Sequence, residues 1–120
     1  YDADWLNLWS RRFGNPLLDA ESFKLDDKGG LREIGFRPDD ISHIQGQYMG
    51  LLRFTPNAWF EAKRIYACLD TINKASIHLT GMLQKIIEEE RIEIQAVKYN
   101  GKWGEIDSQK DLEIYINSDK

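Results

Sequence analysis

The sequence predicts a single α/β domain in which helices flank a mixed sheet that includes a β-hairpin. Apolar residues recur at helical spacing in four segments, and four shorter segments have the alternating or continuous apolar pattern of strands. The two kinds of segment follow one another along the chain instead of forming separate blocks. We therefore expect helix, hairpin, strand, helix, helix, strand and helix, in that order, around one core.

The composition agrees with a globular domain. The chain has 120 residues, of which 42% are hydrophobic and 30% are charged. A net charge of −4 argues against a nucleic-acid or membrane partner, because such partners usually need a basic face. The single cysteine, Cys68, excludes an intrachain disulfide, and no apolar run reaches the length of a membrane span. We expect a cytoplasmic protein.

The first element is a helix that Asp2 or Asp4 can cap and that residues 14–16, Gly-Asn-Pro, end. Its apolar stripe consists of Trp5, Leu8, Trp9 and Phe13. Tryptophans at helical spacing are typical of a core. We interpret Arg11 and Arg12 as solvated, although either could reach a phosphate. No initiator methionine precedes this helix, so we expect the chain to begin partway through a protein.

Strands are predicted next. Residues 22–25 and 31–34 alternate polar with apolar side chains around a glycine-containing turn, which predicts a β-hairpin. Residues 44–54 end in a continuous apolar run, which is typical of a strand buried on both faces of a mostly parallel sheet. Gly46 and Gly50 within that strand indicate a bulge, or the close approach of either a ligand or a helix.

Two helices and a last strand follow. Thr55 and Pro56 are a strong helix start, and the predicted buried face of that helix consists of Trp59, Ala62, Ile65, Tyr66 and Leu69. Cys68 is predicted to be a small buried residue. Thr80 is the predicted cap of the second helix, and residues 92–99 form the last predicted strand.

This strand leads towards two carboxylates, Glu105 and Asp107, which would point the same way if the strand continued through them. Ser108 and Asp111 predict the start of a helix over residues 109–116, whose N-terminal dipole favours ionised acids. Paired carboxylates suit Mg²⁺, which adds waters and substrate phosphates to one or two protein ligands. Alternatively, Asp107 helps to cap the helix and Glu105 is a solvated residue. The residues alone leave both interpretations open.

Short motifs along nearly the whole chain resemble the nucleotidyltransferases with a glycosyltransferase-A-like Rossmann fold, especially the sugar-phosphate and phosphocholine cytidylyltransferases. These motifs are Asp4-Trp5-Leu6 with Leu8-Trp9, Asp19-Ala20-Glu21, Gly46-Gln47-Tyr48-Met49-Gly50-Leu51 with Phe54-Thr55-Pro56, Thr80-Gly81-Met82-Leu83, and Trp103-Gly104-Glu105-Ile106-Asp107 with Asp111-Leu112 and Tyr115. The resemblance implies that the chain is the C-terminal portion of a Rossmann-like nucleotidyltransferase domain.

The resemblance also implies a reaction and a set of site residues. A phosphate oxygen of a sugar phosphate or phosphocholine would attack the α-phosphorus of CTP or UTP, and pyrophosphate would leave. Glu105 and Asp107 would hold Mg²⁺, and Asp107 would be the catalytic residue. The implied substrate-binding residues are Gln47, Tyr48, His78, Thr80 and Trp103.

The departures from this family are equally informative. The Gly-rich phosphate loop of the N-terminal half, with its basic residue and a further metal-binding Asp, has no counterpart here. We therefore expect residues 1–120 to be one partial domain that is inactive alone. An alternative is a catalytically dead module that binds a phosphorylated small molecule or a protein partner. A third interpretation is an interaction domain that self-associates through an exposed sheet edge.

Overall fold

A computed structural model describes residues 1–118 of the chain. Its regular elements are α1 (Trp5–Arg12), β1 (Phe23–Leu25), β2 (Leu31–Ile34), α2 (Pro56–Cys68), α3 (Thr71–Ser76), α4 (Leu79–Glu89) and α5 (Gln109–Ser118), with short 3₁₀ turns at Pro16–Leu18 and Ile41–His43. Helices and strands are mixed along the chain, as an α/β assignment expects. Over residues 1–118, none of the helices combines the length and the apolar character that crossing a membrane requires.

The predicted hairpin is confirmed. β1 and β2 pair antiparallel, with Phe23 opposite Ile34, and the register shifts between Lys24 and Leu25. The turn closes on Asp26, whose carboxylate accepts the N–H groups of Lys28 at 2.9 Å and Gly30 at 2.8 Å. This arrangement follows from the local sequence, because an Asp at the start of a turn can bond the backbone ahead of it.

The four predicted helices are confirmed, but α4 begins at a different residue from the predicted one. The Thr55 hydroxyl accepts the Ala58 N–H at 3.1 Å and so caps α2 as expected. The prediction that Thr80 caps α4 is wrong, because His78 holds the cap position and the Thr80 side chain is used elsewhere. The short helix α3 was not predicted, although Asp70 gives a capping signal by accepting the Asn73 N–H at 2.9 Å.

Both longer predicted strands are wrong. Within residues 44–54, only Ile44 and Gln47 form isolated bridges, and Leu51 is 85% exposed where burial on both faces was expected. Residues 92–99 run beside the hairpin, where the Leu31 N–H donates to the Ile94 carbonyl at 2.8 Å, but they form no continuous ladder. A strand needs a neighbour along its length, and the described residues supply one only at single positions.

The sheet within residues 1–118 is therefore two-stranded and antiparallel, and the expected mixed sheet is not present there. The Rossmann-like assignment stays a prediction.

The hairpin packs on α2 and α4. The apolar core of this region consists of Phe23, Leu31, Ile34, Ala62, Ile65, Leu83 and Ile86. On α2, Ala62 and Ile65 are buried as predicted, but Trp59 is 54% exposed and Cys68 is also exposed. Glu61, which is not on the predicted buried face, is buried and accepts the Arg64 Nε–H at 2.9 Å. The inward face of α2 is thus rotated from the predicted one.

A second cluster surrounds α1 and confirms the tryptophan core predicted there. Its buried members are Trp5, Leu8, Trp9, Ala20 and Ile44, and Phe13, Leu17, Trp103 and Tyr115 pack against them. The Trp5 and Trp9 rings meet edge to face with centroids 6.2 Å apart. Since Trp103 and Tyr115 join this cluster, it holds the chain before α5, and α5 itself, against α1.

Candidate functional site

The segment that carries Glu105 and Asp107 is an irregular loop fastened to α5. The Tyr115 ring lies against the Gly104 backbone so closely that a side chain at position 104 would overlap it. The Tyr115 hydroxyl also accepts the Glu105 N–H at 3.0 Å. The expected continuation of a strand through this segment is wrong, but its backbone is held by a neighbouring helix.

Ser108 and Asp111 form the helix start that the sequence predicts. The Ser108 hydroxyl accepts the Asp111 N–H at 3.2 Å, and Asp111 Oδ2 accepts the Ser108 N–H at 3.0 Å. Such a reciprocal pair satisfies two backbone donors that a helix N-terminus leaves open. Asp107 contributes its backbone N–H to the same Asp111 oxygen, at 3.2 Å, and its carboxylate points elsewhere.

The Arg12 side chain stands at the centre of the site. Its guanidinium donates from Nη1 to Glu105 Oε2 at 2.6 Å and from Nη2 to Asp107 Oδ2 at 2.6 Å. Its Nε donates to Asp111 Oδ1 at 3.0 Å. The Arg12 side chain is 0% exposed, whereas those of Glu105 and Asp107 are 40% and 64% exposed. The two predicted carboxylates therefore do meet at one point, and that point is a buried cation.

The interpretation of Arg12 as solvated is wrong. Arg12 lies three residues after Trp9 and four after Leu8, which places it on the buried face of α1. Its guanidinium carbon lies 5.4 Å from the centre of the Trp9 ring and 5.0 Å from that of Phe13. The sequence did contain a signal that Arg12 is buried, namely its place in the aromatic stripe of α1 at helical spacing. Aromatic rings are good partners for a guanidinium group.

The surroundings of Arg12 and Asp111 favour the charged form of each. Burial opposes the charge on Arg12, but hydrogen bonds to Asp111, Asp107 and Glu105 outweigh it, so the Arg12 pKa lies above its ordinary value. Hydrogen bonds from Arg12 and then from Ser108 hold the pKa of the Asp111 carboxyl well below its usual range. Three carboxylates around one guanidinium leave a net charge of two negative units, on the side where Glu105 and Asp107 face solvent.

The donor chemistry of this cluster fits a hard cation. Glu105 and Asp107 present carboxylate oxygens at the surface of a net negative group. Across the part of the chain that the structure describes, no three His, Cys, Asp or Glu side chains are arranged to hold a metal ion. A Mg²⁺ ion here would therefore depend on the two carboxylates, with water and substrate phosphate as further ligands, which is its common mode of binding.

Three of the implied substrate-binding residues belong to one chain of hydrogen bonds. The Thr80 hydroxyl donates to Glu21 Oε1 at 3.1 Å, and the Gln47 side-chain amide donates to the Glu21 carbonyl at 2.7 Å. Gln47 also exchanges backbone hydrogen bonds with Asp2, whose Oδ2 accepts the Trp103 indole N–H at 2.9 Å. Glu21 and Asp2, which were not predicted as site residues, thus link Gln47, Thr80 and Trp103.

The other two, Tyr48 and His78, lie apart from this chain of hydrogen bonds. The Tyr48 ring packs against the hairpin core, and its buried hydroxyl has no hydrogen-bond partner among the described residues. Burial raises the pKa of this hydroxyl. His78 is exposed at the start of α4. The structure therefore does not bring all five residues into one pocket.

Trp103 borders a cleft between α1 and residues 98–103. The cleft has a volume of about 790 Å³, and Lys98, Lys102 and Tyr99 contribute to its lining. The Trp103 ring itself packs on Trp9, with centroids 6.1 Å apart. The lining of the cleft also includes the carboxylates of Asp2 and Asp4, so the cleft presents charges of both signs.

The chain is similar to a known enzyme along almost its whole length. It is 36% identical over 121 residues to a CTP:phosphoglutamine cytidylyltransferase from Campylobacter jejuni. The alignment covers 96% of this chain and 47% of the relative, so the chain spans about half the length of the curated relative that it matches. It matches no protein-family profile, and no solved structure gives a significant match.

Proposed function

We propose that the chain supplies the metal- and acceptor-binding part of a Mg²⁺-dependent nucleotidyltransferase that uses CTP. The observation that carries this proposal is the alignment with a cytidylyltransferase over 96% of the chain. The convergence of Glu105 and Asp107 supports it, since these exposed carboxylates form a net negative surface with Arg12 and Asp111. The comparison favours CTP over UTP.

In the proposed reaction, a phosphate oxygen of the acceptor attacks the α-phosphorus of CTP. A new phosphorus–oxygen bond forms, the bond between the α- and β-phosphates breaks, and pyrophosphate leaves with the electron pair. Bound Mg²⁺ would neutralise phosphate charge and align the reacting groups. Glu105 and Asp107 would hold that ion, and Asp107, the more exposed of the two, would be nearest the reacting phosphates.

The proposed acceptor is a phosphorylated small molecule, and phosphoglutamine is the first to test because the relative's name contains it. The cleft beside Trp103 is the proposed place for its organic part. Lys98 and Lys102 offer positive charge to a phosphate, and Asp4 at the same cleft offers a partner for an amino group. Gln47 and Thr80 would support this region through Glu21 rather than contact the acceptor.

We propose further that the nucleotide site is made by polypeptide outside residues 1–120. The sequence contains no Gly-rich phosphate loop, and the alignment leaves 53% of the relative unmatched. On this proposal the 120-residue chain binds the acceptor and the cation but does not turn over.

The test is a binding experiment followed by an activity assay on the 120-residue chain. Phosphoglutamine and phosphocholine are titrated separately while the amide and indole NMR signals are followed, and Mn²⁺ is added as a paramagnetic probe. We expect acceptor-induced shifts at Trp103 and broadening of the amides of residues 105–107. Asp107→Asn should abolish the broadening, whereas Glu113→Gln, which alters an exposed acid on α5, should not.

The activity assay measures pyrophosphate release from CTP with phosphoglutamine and Mg²⁺. We expect none from the 120-residue chain, and robust turnover would disprove the proposal that another polypeptide completes the site. If neither acceptor nor Mn²⁺ perturbs residues 103–107, the proposed function is wrong.

A second candidate function is favoured by exposed apolar side chains near the start of α2. Leu51 is 85% exposed, and Trp59 and Phe60 on α2 are 54% and 61% exposed, so this part of the chain presents several large apolar side chains to solvent. We propose as the alternative a catalytically inactive module that binds a protein partner, or a second copy of itself, through this surface. Analytical ultracentrifugation of the chain and of a Trp59→Ser, Phe60→Ser variant tests self-association, and a concentration-independent monomer would argue against that form of the alternative.

A further inference from the structure

The proposed site contains a cation that the proposed reaction does not use. We propose that Arg12 is a positioning residue, which holds the Glu105 and Asp107 carboxylates side by side so that a divalent cation meets them as a preformed pair. The inference rests on the proposed function for its metal ion. It adds a residue from α1 to a site that the sequence otherwise places at residues 105–107.

The geometry of the Arg12 hydrogen bonds suits this positioning role. Two carboxylates side by side repel each other, and the loop that bears them has no regular secondary structure. Arg12 gives a separate N–H to each, at 2.6 Å, from Nη1 and Nη2 of one planar group. A guanidinium fixes both the distance and the plane of its partners, whereas a lysine ammonium would act as a single point charge.

Arg12 is itself held in a fixed position. Its side chain is 0% exposed and is flanked by the rings of Trp9 and Phe13. Asp111 accepts the Nε–H at 3.0 Å and so anchors the same guanidinium. Arg12 also stands at the C-terminal end of α1, where the helix dipole favours a positive charge. Because the guanidinium is fixed, its hydrogen bonds also fix the positions of the Glu105 and Asp107 carboxylates.

The charge of Arg12 also suits this positioning role. Without Arg12, three carboxylates would gather with no cation among them, and Asp111 would be buried without its partner. With Arg12, two net negative charges remain, which one divalent cation neutralises. The contacts to Arg12 use Oε2 of Glu105 and Oδ2 of Asp107, so they account for one oxygen of each carboxylate.

The experiment compares Mn²⁺ binding by the 120-residue chain and by Arg12→Lys, which keeps the charge but removes the planar pair of donors. We expect the Mn²⁺ affinity measured from broadening of the amides of residues 105–107 to fall by about tenfold or more, as is common when a residue that orients metal ligands is replaced. The matched control is Arg37→Lys, which makes the same change at an exposed position and should leave the affinity unchanged.

A purely structural role predicts a different result, namely a lower melting temperature with unchanged Mn²⁺ affinity in Arg12→Lys, and this outcome would overturn the proposal. If Arg12→Lys does not fold, Asp111→Asn is the second variant, because it weakens the anchor of Arg12 Nε and leaves Glu105 and Asp107 in place. Its Mn²⁺ affinity, measured on the amides of residues 105–107, should fall more than that of Glu113→Gln, which removes the same charge at an exposed position, and equal affinities would overturn the proposal. If Mn²⁺ does not broaden the amides of residues 105–107, the proposed metal site is wrong, and the role proposed for Arg12 is wrong as well.

Discussion

The two packed regions of this chain are held together by different forces. The hairpin, α2 and α4 enclose an apolar core in which Ile34 and Ile86 are each 1% exposed. The contact of α1 with α5 combines tryptophans with a buried arginine and three carboxylates. Stabilisation by apolar burial does not depend on direction, so side chains can shift slightly without losing it. Hydrogen bonds between charged groups, in contrast, fix the angles at which those groups meet. The second region is thus the one built to hold functional groups at set positions.

The largest expected loss of stability comes from a substitution in the apolar region. Ile86→Ala removes most of a side chain that is 1% exposed, so we expect a loss of about 4 kcal/mol in the free energy of unfolding. Urea unfolding monitored by circular dichroism measures this loss. Ile72→Ala is the control, because Ile72 is 81% exposed and its truncation should change little. A small effect of Ile86→Ala would contradict the packing described for α4.

The next largest loss of stability comes from a substitution in the contact of α1 with α5. Arg12→Met leaves the carboxylate of Asp111 buried without its cation, and we expect a loss of about 3 kcal/mol because breaking a buried ion pair from one side is costly. Glu105 and Asp107 are exposed enough to be hydrated in the variant, which limits the loss. Urea unfolding again measures it. Stability equal to that of the wild type would mean that this cluster does not hold α5.

A pH titration separates the two regions. The Asp111 pKa lies below its ordinary value of 3.8, chiefly because of its hydrogen bond with Arg12. The unfolded chain therefore takes up this proton first as the pH falls, so the stabilisation is present above 3.8 and is lost below it. Asp111→Asn should reduce the slope of stability against pH in this acid range. Ile86→Ala should shift the whole curve and leave that slope unchanged.

The smallest effect concerns a polar group inside the apolar region. The Tyr48 hydroxyl is buried without a hydrogen-bond partner in the described part of the chain, so Tyr48→Phe removes a desolvation cost. We expect equal stability or a gain of up to about 1 kcal/mol, measured by thermal unfolding. A clear loss of stability would show that a bound water or an unseen partner satisfies this hydroxyl.

Most local signals were read correctly from the sequence, although the Thr80 cap was wrong and α3 was missed, whereas the pairings of the two longer strands were not predicted correctly. The Thr55 cap, the hairpin turn at Asp26 and the reciprocal pair of Ser108 and Asp111 each depend on residues a few positions apart. The strand predicted over residues 44–54 failed because a strand exists only against a neighbour, and the sequence of one segment does not specify its neighbour. The rotation of α2 similarly depends on which elements cover it.

The candidate site shows the same division between local signals and long-range contacts. The sequence by itself determined that Glu105 and Asp107 lie just before a capped helix, since capping by Ser108 and Asp111 is a local property. Only the tertiary structure decided that they meet at Arg12, which lies more than 90 residues away in sequence. The apolar packing of α1 against Trp103 and Tyr115 brings these distant segments together, and long-range contacts of this kind are set by the fold of the whole chain.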